Sequence, residues 1–211
     1  MRNMLGSEAR RRRTQAERTE ASSNGLLGAA LELVAERGLR NTSLQAIGER
    51  AGYSRGLVSH RFGSKEGLVK ELVPRMMEQW AADVRDPAVG NRVGIAAMRA
   101  VAQVHRRAIE QTPHVVRALY RAFFESLIDM PELRGALGRM DRRLRERSEQ
   151  RIREGIANGT VRPDVDVSAE ATLFLAALRG ITLQWLVDPE VVDLERVYAA
   201  LDDWIQRGLS A

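Results

Sequence analysis

The chain has 211 residues, of which 44% are apolar and 29% are charged, a composition typical of a soluble globular protein. It has no run of about 18 uncharged apolar residues and no apolar segment behind its basic N-terminus, so we expect neither a membrane span nor a secretory signal. The absence of cysteine excludes disulfides, thiolate catalysis and cysteine-ligated metals, and it suits a reducing cytoplasm.

The positive charge is concentrated in the first third of the chain. Residues 1–70 hold 13 Lys or Arg against 7 Asp or Glu, whereas residues 71–211 hold 20 against 21. This asymmetry is expected if only the first third contacts a polyanion. Residues 1–18, which include the run Arg10–Arg13, show no apolar periodicity. We predict a flexible basic arm that can order on a DNA backbone or in a minor groove.

Two helices and a tight turn are predicted after this arm. Apolar residues at helical spacing predict a first helix from about Thr19 to Arg37. Thr42 or Ser43 can N-cap a second helix, whose inward residues are Leu44, Ile47 and Ala51. Gly52 ends that helix and supplies the backbone freedom that a turn of three to four residues requires.

A third short helix follows the turn. Ser54 is its predicted N-cap, and the pattern places Leu57 and Val58 toward the preceding helices. Arg55, Ser59 and His60 then face outward. A helix this short depends on packing for its stability. This arrangement is typical of a helix-turn-helix, in which the second helix enters a major groove.

Residues 42–68 resemble the signature of TetR-type (tetracycline-repressor-like) transcriptional regulators. The positions that carry the resemblance are Thr42, Ile47, Ala51, Gly52, Ser54, Gly56, His60, Phe62, Ser64, Lys65, Glu66 and Leu68. Ser59 and Arg61 stand where the family commonly has aromatic residues. The resemblance, together with the outward positions predicted on the third helix, implies a set of DNA contacts. The residues concerned are Thr42, Ser43, Tyr53, Ser54, Arg55, Ser59, His60, Arg61 and Lys65.

The remaining chain is predicted to be helical. The helical pattern continues past Leu68 to about Asp83, with a kink at Pro74. Residues 86–92 are predicted to be a loop. Further helices are predicted at about 93–111, from Pro113 to a break at Met130–Pro131, at 133–158 with a solvated charged face, at 168–187 and at 191–208.

The last two helices differ from the others in composition. Residues 168–187 are apolar nearly all round, so this helix needs partners on both sides. The intramolecular core can cover one side and a second subunit the other. The resemblance implies that residues 168–187 and 191–208 form a four-helix homodimer interface with their symmetry mates.

No catalytic or metal-binding motif is recognised, and the three histidines are too scattered to predict a metal site. We therefore predict no enzyme, cofactor or metal. The resemblance implies a small-molecule effector cavity. Candidate lining residues, which could equally be core, are Met76, Met77, Trp80, Met98, His105, Tyr120, Phe123, Phe124 and Trp185. For His105, a hydrogen-bonded core position is the alternative.

Together these patterns predict an all-α protein of about nine helices. The arm (1–18) precedes a helix-turn-helix domain (19–67) and an effector-binding and dimerisation domain (68–211). The predicted function is a cytoplasmic homodimeric repressor that a largely apolar effector releases from near-palindromic duplex DNA. The alternative is an all-α module for lipid or an anionic membrane surface, although the arginine run lacks the bulky apolar residues of a membrane-binding helix. An enzyme on a helical bundle is the third possibility, and no catalytic constellation supports it.

Overall fold

The computed structural model describes residues 14–64, 67–68, 70–71, 74, 77–78, 81–128 and 134–211. Nine α-helices can be delimited and no β-strand occurs within these ranges, in agreement with the predicted all-α fold. The helices are α1 (Gln15–Arg37), α2 (Leu44–Ala51), α3 (Arg55–Phe62), α4 (Asp86–Val89), α5 (Gly94–Gln111), α6 (Pro113–Ile128), α7 (Arg134–Ala157), α8 (Val167–Val187) and α9 (Leu194–Leu209). Described positions between 67 and 78 are also helical. Arg10–Arg13 and the predicted break at Met130–Pro131 lie outside the described residues.

Two predicted boundaries need correction. Helix α1 begins before Thr19, because Thr14 and Glu17 form a reciprocal cap. The Thr14 hydroxyl accepts from the Glu17 amide at 3.2 Å, and the Glu17 carboxylate accepts from the Thr14 amide at 2.7 Å. The predicted loop at 86–92 begins instead as the short helix α4, which follows a π-helical turn at Ala81–Arg85.

A small apolar core holds α1, α2 and α3 together. Ile47 and Val58 are fully buried in it, and Phe62 is 7% exposed, as predicted for its packing role. Leu26 and Leu33 of α1 complete the contact from the opposite side. Because two eight-residue helices have little stability of their own, this core fixes their mutual angle.

The larger core lies among α5, α7, α8 and α9. Its largest fully buried side chains include Tyr198, Phe174 and Ile109. A third apolar cluster joins α1 to α6 and α7 and contains Val34, Leu39, Ala118, Leu137 and Met140. Helix α1 therefore packs into the small core through residues such as Leu26 and Leu33, and its C-terminal end packs against the bundle.

Helix α8 leaves part of its apolar surface uncovered. Leu173 is 50% exposed and Leu183 is 38% exposed, and Trp204 of α9 is 42% exposed. By length and composition α8 is apolar enough to cross a membrane, with a mean hydropathy of 1.2 over its best window, although core helices of soluble proteins pass the same test. Only 22% of that window is buried, so the single chain covers little of this helix.

Candidate nucleic-acid interface and ligand cavity

Helices α2 and α3 form a helix-turn-helix whose ends are capped by the predicted serines. The Ser43 hydroxyl accepts from the Ala46 amide at 3.1 Å, and the Ser54 hydroxyl accepts from the Leu57 amide at 3.2 Å. Gly52 adopts a left-handed conformation with φ of 76°, as a tight turn between these helices requires. The caps leave Ser43 and Ser54 exposed at the two helix N-termini, where backbone N–H groups favour phosphate.

An ion-pair network fastens α2 to α1. Arg50 donates two hydrogen bonds to Glu36, at 3.0 and 3.1 Å, and one to Glu32 at 3.1 Å. The hydrogen bond from Arg50 lowers the pKa of Glu36 below its ordinary value. Arg55 makes no ion pair with any described residue, so its charge remains available at the start of α3.

The outer face of α3 combines polar and apolar groups. Arg55 and His60 are exposed and Ser59 is half-buried, consistent with their predicted outward positions. Val58 is buried as predicted, but Leu57 is 41% exposed, so its predicted inward position is wrong. Arg55, Leu57, Ser59 and His60 together are named the reading face below. An exposed leucine there can contact a thymine methyl group.

Three predicted contact residues have partners or packing neighbours within the chain. Thr42 is 1% exposed and its hydroxyl donates to the Gly38 carbonyl at 2.8 Å, so it is not free to bind a phosphate. Arg61 forms a two-pronged ion pair with Glu71 and lies over the ring of Phe62. Tyr53 is half-buried against the small core. The remaining candidate, Lys65, lies outside the described residues.

A predominantly apolar cavity of about 310 Å³ lies between α5, α6, α7 and α8. Five predicted residues line it, namely Met77, His105, Tyr120, Phe123 and Phe124. Two predictions need correction, because Met98 is buried in the large core and Trp185 packs against that core. Met76 and Trp80 lie outside the described residues.

The uncharged polar side chains of the cavity wall, His105 and Tyr120, each have a hydrogen-bond partner. His105 Nδ1 and Tyr198 Oη lie 2.5 Å apart, so His105 is both a bonded core histidine and a lining residue. The Tyr120 hydroxyl donates to the Arg179 carbonyl at 3.0 Å. Burial and then the charge of Arg179 lower the pKa of His105 from 6.5 to about 4, and burial raises that of Tyr198. At neutral pH both side chains are uncharged.

The two charged residues among the described lining residues, Arg85 and Arg179, are not among the predicted ones. Arg179 forms an ion pair with Asp141, and its guanidinium lies 5.3 Å from the ring centroid of Phe123. The Arg85 side chain is only 4% exposed and pairs with Asp86 at 2.8 Å. A lone cation inside the otherwise uncharged stretch 173–187 is the signal in the sequence that points to Arg179. For Arg85 the sequence carries no signal, because its burial depends on the π-helical turn.

Helix α6 contacts the cavity on one face and the end of α1 on another. Arg121 donates to the carbonyls of Val34 and Ala35 at 3.1 and 3.2 Å. Glu125 Oε1 accepts from the Leu39 amide at 3.1 Å. We name these bonds the α1 clamp. Gly38 fits beneath it with φ of 80°, and a Cβ there would lie 3.0 Å from Glu125 Oε1.

Comparison with sequence families finds two matches. Residues 26–72 match the model described as bacterial regulatory proteins, tetR family. Residues 110–210 match the model described as BetI-type transcriptional repressor, C-terminal. The first match covers the small core and the helix-turn-helix, and the second covers most of the bundle, including α6 to α9.

Individual proteins show the same similarity. The chain is 26% identical over 171 residues to the HTH-type transcriptional regulator UidR of Escherichia coli (strain K12), covering 81% of this chain and 83% of UidR. It is 28% identical over 188 residues to the HTH-type transcriptional regulator BetI of Burkholderia mallei, covering 88% and 92%. A SmeT–triclosan complex, from Stenotrophomonas maltophilia, superposes with a TM-score of 0.75 at 21% identity, covering 90% and 92%. This last likeness concerns the fold.

The shifted pKa of His105 predicts a pH-dependent stability. Between about pH 6.5 and 4 the unfolded chain binds a proton at His105 that the folded chain does not, so lowering the pH through this window destabilises the fold by about 1.4 kcal/mol per pH unit. In His105→Gln, urea unfolding at pH 7 and pH 5 should show a smaller loss of stability than in the wild type. The exposed-histidine control His60→Gln should behave as the wild type. An equal loss in His105→Gln would contradict the assignment.

Proposed function

The chain belongs to the TetR family of bacterial transcriptional regulators, and from this premise we propose that it is a homodimeric repressor released from DNA by a small, largely apolar molecule. The observation that carries the proposal is an exposed reading face on α3 together with an apolar cavity of about 310 Å³ behind α6. In this proposal the residues before Thr14 form a basic arm, 14–67 the DNA-binding domain, which now includes the start of α1, and 68–211 the effector-binding and dimerisation domain.

The DNA contacts follow from the exposure of the described side chains. Arg55 and His60 would enter a major groove with the N-terminal end of α3 leading, and Leu57 and Ser59 would lie against base edges. The capping serines Ser43 and Ser54, with the arm, Tyr53 and Lys65, would hold phosphates. Phosphate contacts position the domain without selecting a sequence, so sequence preference would come from the reading face.

The homodimer is proposed from the uncovered apolar surface of α8 and α9. Exposed residues Leu173, Ala176, Leu183 and Val187 follow one another at intervals of three, seven and four residues along α8, so they share one side of that helix. Trp204 extends the apolar surface onto α9. Contiguous exposed apolar surface marks a protein or membrane contact. Two-fold pairing would present two reading faces to half-sites about one helical turn, ~34 Å, or more apart.

Release by the effector is proposed to act through α6. The cavity side of this helix carries Tyr120, Phe123 and Phe124, while the α1 clamp uses Arg121 and Glu125 of the same helix. A ligand that moves α6 would therefore move the end of α1 and change the separation of the two reading faces. Affinity for DNA falls when the ligand binds more tightly to the dimer conformation whose reading faces have a separation that does not fit the operator.

Arg55→Ala tests the reading face. Loss of a bidentate arginine–guanine contact costs about 1–3 kcal/mol, so affinity for a site selected by the wild type from a random duplex library should fall ~5- to 150-fold. The variant should also select sites with a relaxed preference at one position of each half-site. The control Arg153→Ala removes an exposed arginine of α7 that is paired with Glu149 at 2.7 Å, and it should select wild-type sites. Unchanged preference in Arg55→Ala would refute the assignment.

Leu173→Glu tests the dimer. A carboxylate buried without a partner in an apolar interface is strongly unfavourable, so analytical ultracentrifugation should show monomers where the wild type forms dimers. The control Ile128→Glu places the same charge on a side chain that is 78% exposed at the end of α6, and it should remain dimeric. A wild-type protein that is monomeric, or a dimeric Leu173→Glu, would exclude this interface.

Arg121→Leu tests the α1 clamp. The substitution removes two hydrogen bonds to α1 while leaving the reading face intact, so base preference within each half-site should be unchanged. The preference for one spacing between half-sites should broaden, as measured by selection from libraries of different spacing. A purely structural role would lower stability and affinity at every spacing alike, and that outcome would reject α6 as the positioning element.

A further inference from the structure

A groove lined by arginines adjoins the apolar cavity. It has a volume of about 160 Å³ and shares Met77, Arg85, Met140 and Leu144 with the cavity wall. The cavity and the groove are therefore neighbouring parts of one site. Their combined size falls within the range of about 300–1,000 Å³ that is usual for small-molecule sites.

The groove is strongly cationic. Its described lining residues include four arginines, Arg85, Arg139, Arg143 and Arg147, against one carboxylate, Glu78. Arg139, Arg143 and Arg147 recur every four residues on α7, so they project from one side of the helix. Like charges at this spacing destabilise a helix. An anion bound between them would remove that repulsion.

Much of this charge is unpaired within the described part of the chain. Arg143 forms an ion pair with Glu78, but neither Arg139 nor Arg147 has a described carboxylate within ion-pair distance. Elsewhere on the same helix Arg153 pairs with Glu149 at 2.7 Å and Arg145 with Asp141 at 3.6 Å. At the groove, by contrast, two of the three arginines that α7 contributes have no such described partner.

The cavity itself is poorly suited to a cationic ligand. None of its described lining residues is a carboxylate, and the two that carry charge, Arg85 and Arg179, are both positive. The aromatic ring of Phe123 already has the Arg179 guanidinium over it. An aromatic cage for a quaternary ammonium needs ring faces that are free of other cations.

We propose that the effector is an anionic amphiphile, with its apolar chain in the cavity and a phosphate or carboxylate head group between Arg139, Arg143 and Arg147. The proposal rests on the cavity being the effector site, as put forward above. Arginine suits this role because its planar guanidinium binds carboxylate and phosphate oxygens in pairs. The buried Arg85 lies where the chain and the head group would meet.

The test compares four twelve-carbon probes that differ in their head groups, added to the full-length protein below their micellar concentrations. Isothermal titration should show dodecyl phosphate binding at one per chain, at least ~10-fold tighter than dodecanol, with dodecyltrimethylammonium the weakest. Dodecanoate should bind tighter than dodecanol, and its rank against dodecyl phosphate identifies the preferred head group. Inorganic phosphate alone should bind far more weakly, because it lacks the chain.

Variants separate the head-group site from the chain site. Arg139→Gln with Arg147→Gln should weaken dodecyl phosphate at least ~10-fold and leave dodecanol unchanged, whereas the control Arg153→Gln should change neither. Val101→Phe, which places a larger side chain at the cavity wall, should weaken every twelve-carbon probe. Thermal unfolding of each variant shows that it is folded.

Distinct results would overturn the two proposals. Equal affinity for the four twelve-carbon probes, tighter binding of the ammonium probe, or no effect of the double arginine variant would reject an anionic effector while leaving the cavity as the effector site. Twelve-carbon probes that do not bind, or that bind equally to Val101→Phe, would reject the cavity itself. Inorganic phosphate binding as tightly as dodecyl phosphate would reduce the groove to a site for free phosphate.

Discussion

The attachment of α1 to α6 is the contact on which the arrangement of the molecule depends. The last carbonyls of a helix have no partners within it. In α1 two of them accept from Arg121, whose positive charge also suits the negative end of the helix dipole. Glu125 binds the Leu39 amide just beyond the helix, and its second carboxylate oxygen is buried without a hydrogen-bond partner among the described residues. A buried carboxylate oxygen without a hydrogen-bond partner is destabilising. The junction of α1 and α6 therefore combines three stabilising hydrogen bonds with one destabilising oxygen, and it remains sensitive to displacement.

The scaffold of the helix-turn-helix could be predicted because it depends on local rules. Ile47, Val58 and Phe62 follow helical spacing, and Gly52 follows turn chemistry, so each was correctly placed from the sequence. Leu57 was not, because adjacent apolar residues on a helix this short fit more than one rotation about its axis. Its exposure is set by how α3 packs into the small core that it shares with α1 and α2, which is a long-range property.

Side-chain roles are hard to predict where a residue has an alternative partner within the chain. The sequence predicts a phosphate contact for Thr42, whereas its hydroxyl is taken up by a buried carbonyl before α2. The sequence also predicts a DNA contact for Arg61 and carries no sign of its ion pair with Glu71, which comes within reach only when the chain folds. In the bundle, Met98 and Trp185 lie on cavity-forming helices yet face the core, because helix rotation decides which side lines the space. Sequence patterns identify the helices well and their rotation poorly.

The π-helical turn at Ala81–Arg85 has an evolutionary consequence. Such turns are equivalent to one extra residue inserted in an α-helix, and each residue rotates an α-helix by about 100°. Deleting a single residue there would restore regular winding and turn Arg85 away from the shared wall of the cavity and the groove. Relatives that differ by one residue in this segment would then recognise different ligands while keeping the same DNA-binding helices. Ligand specificity and operator specificity can in this way diverge independently.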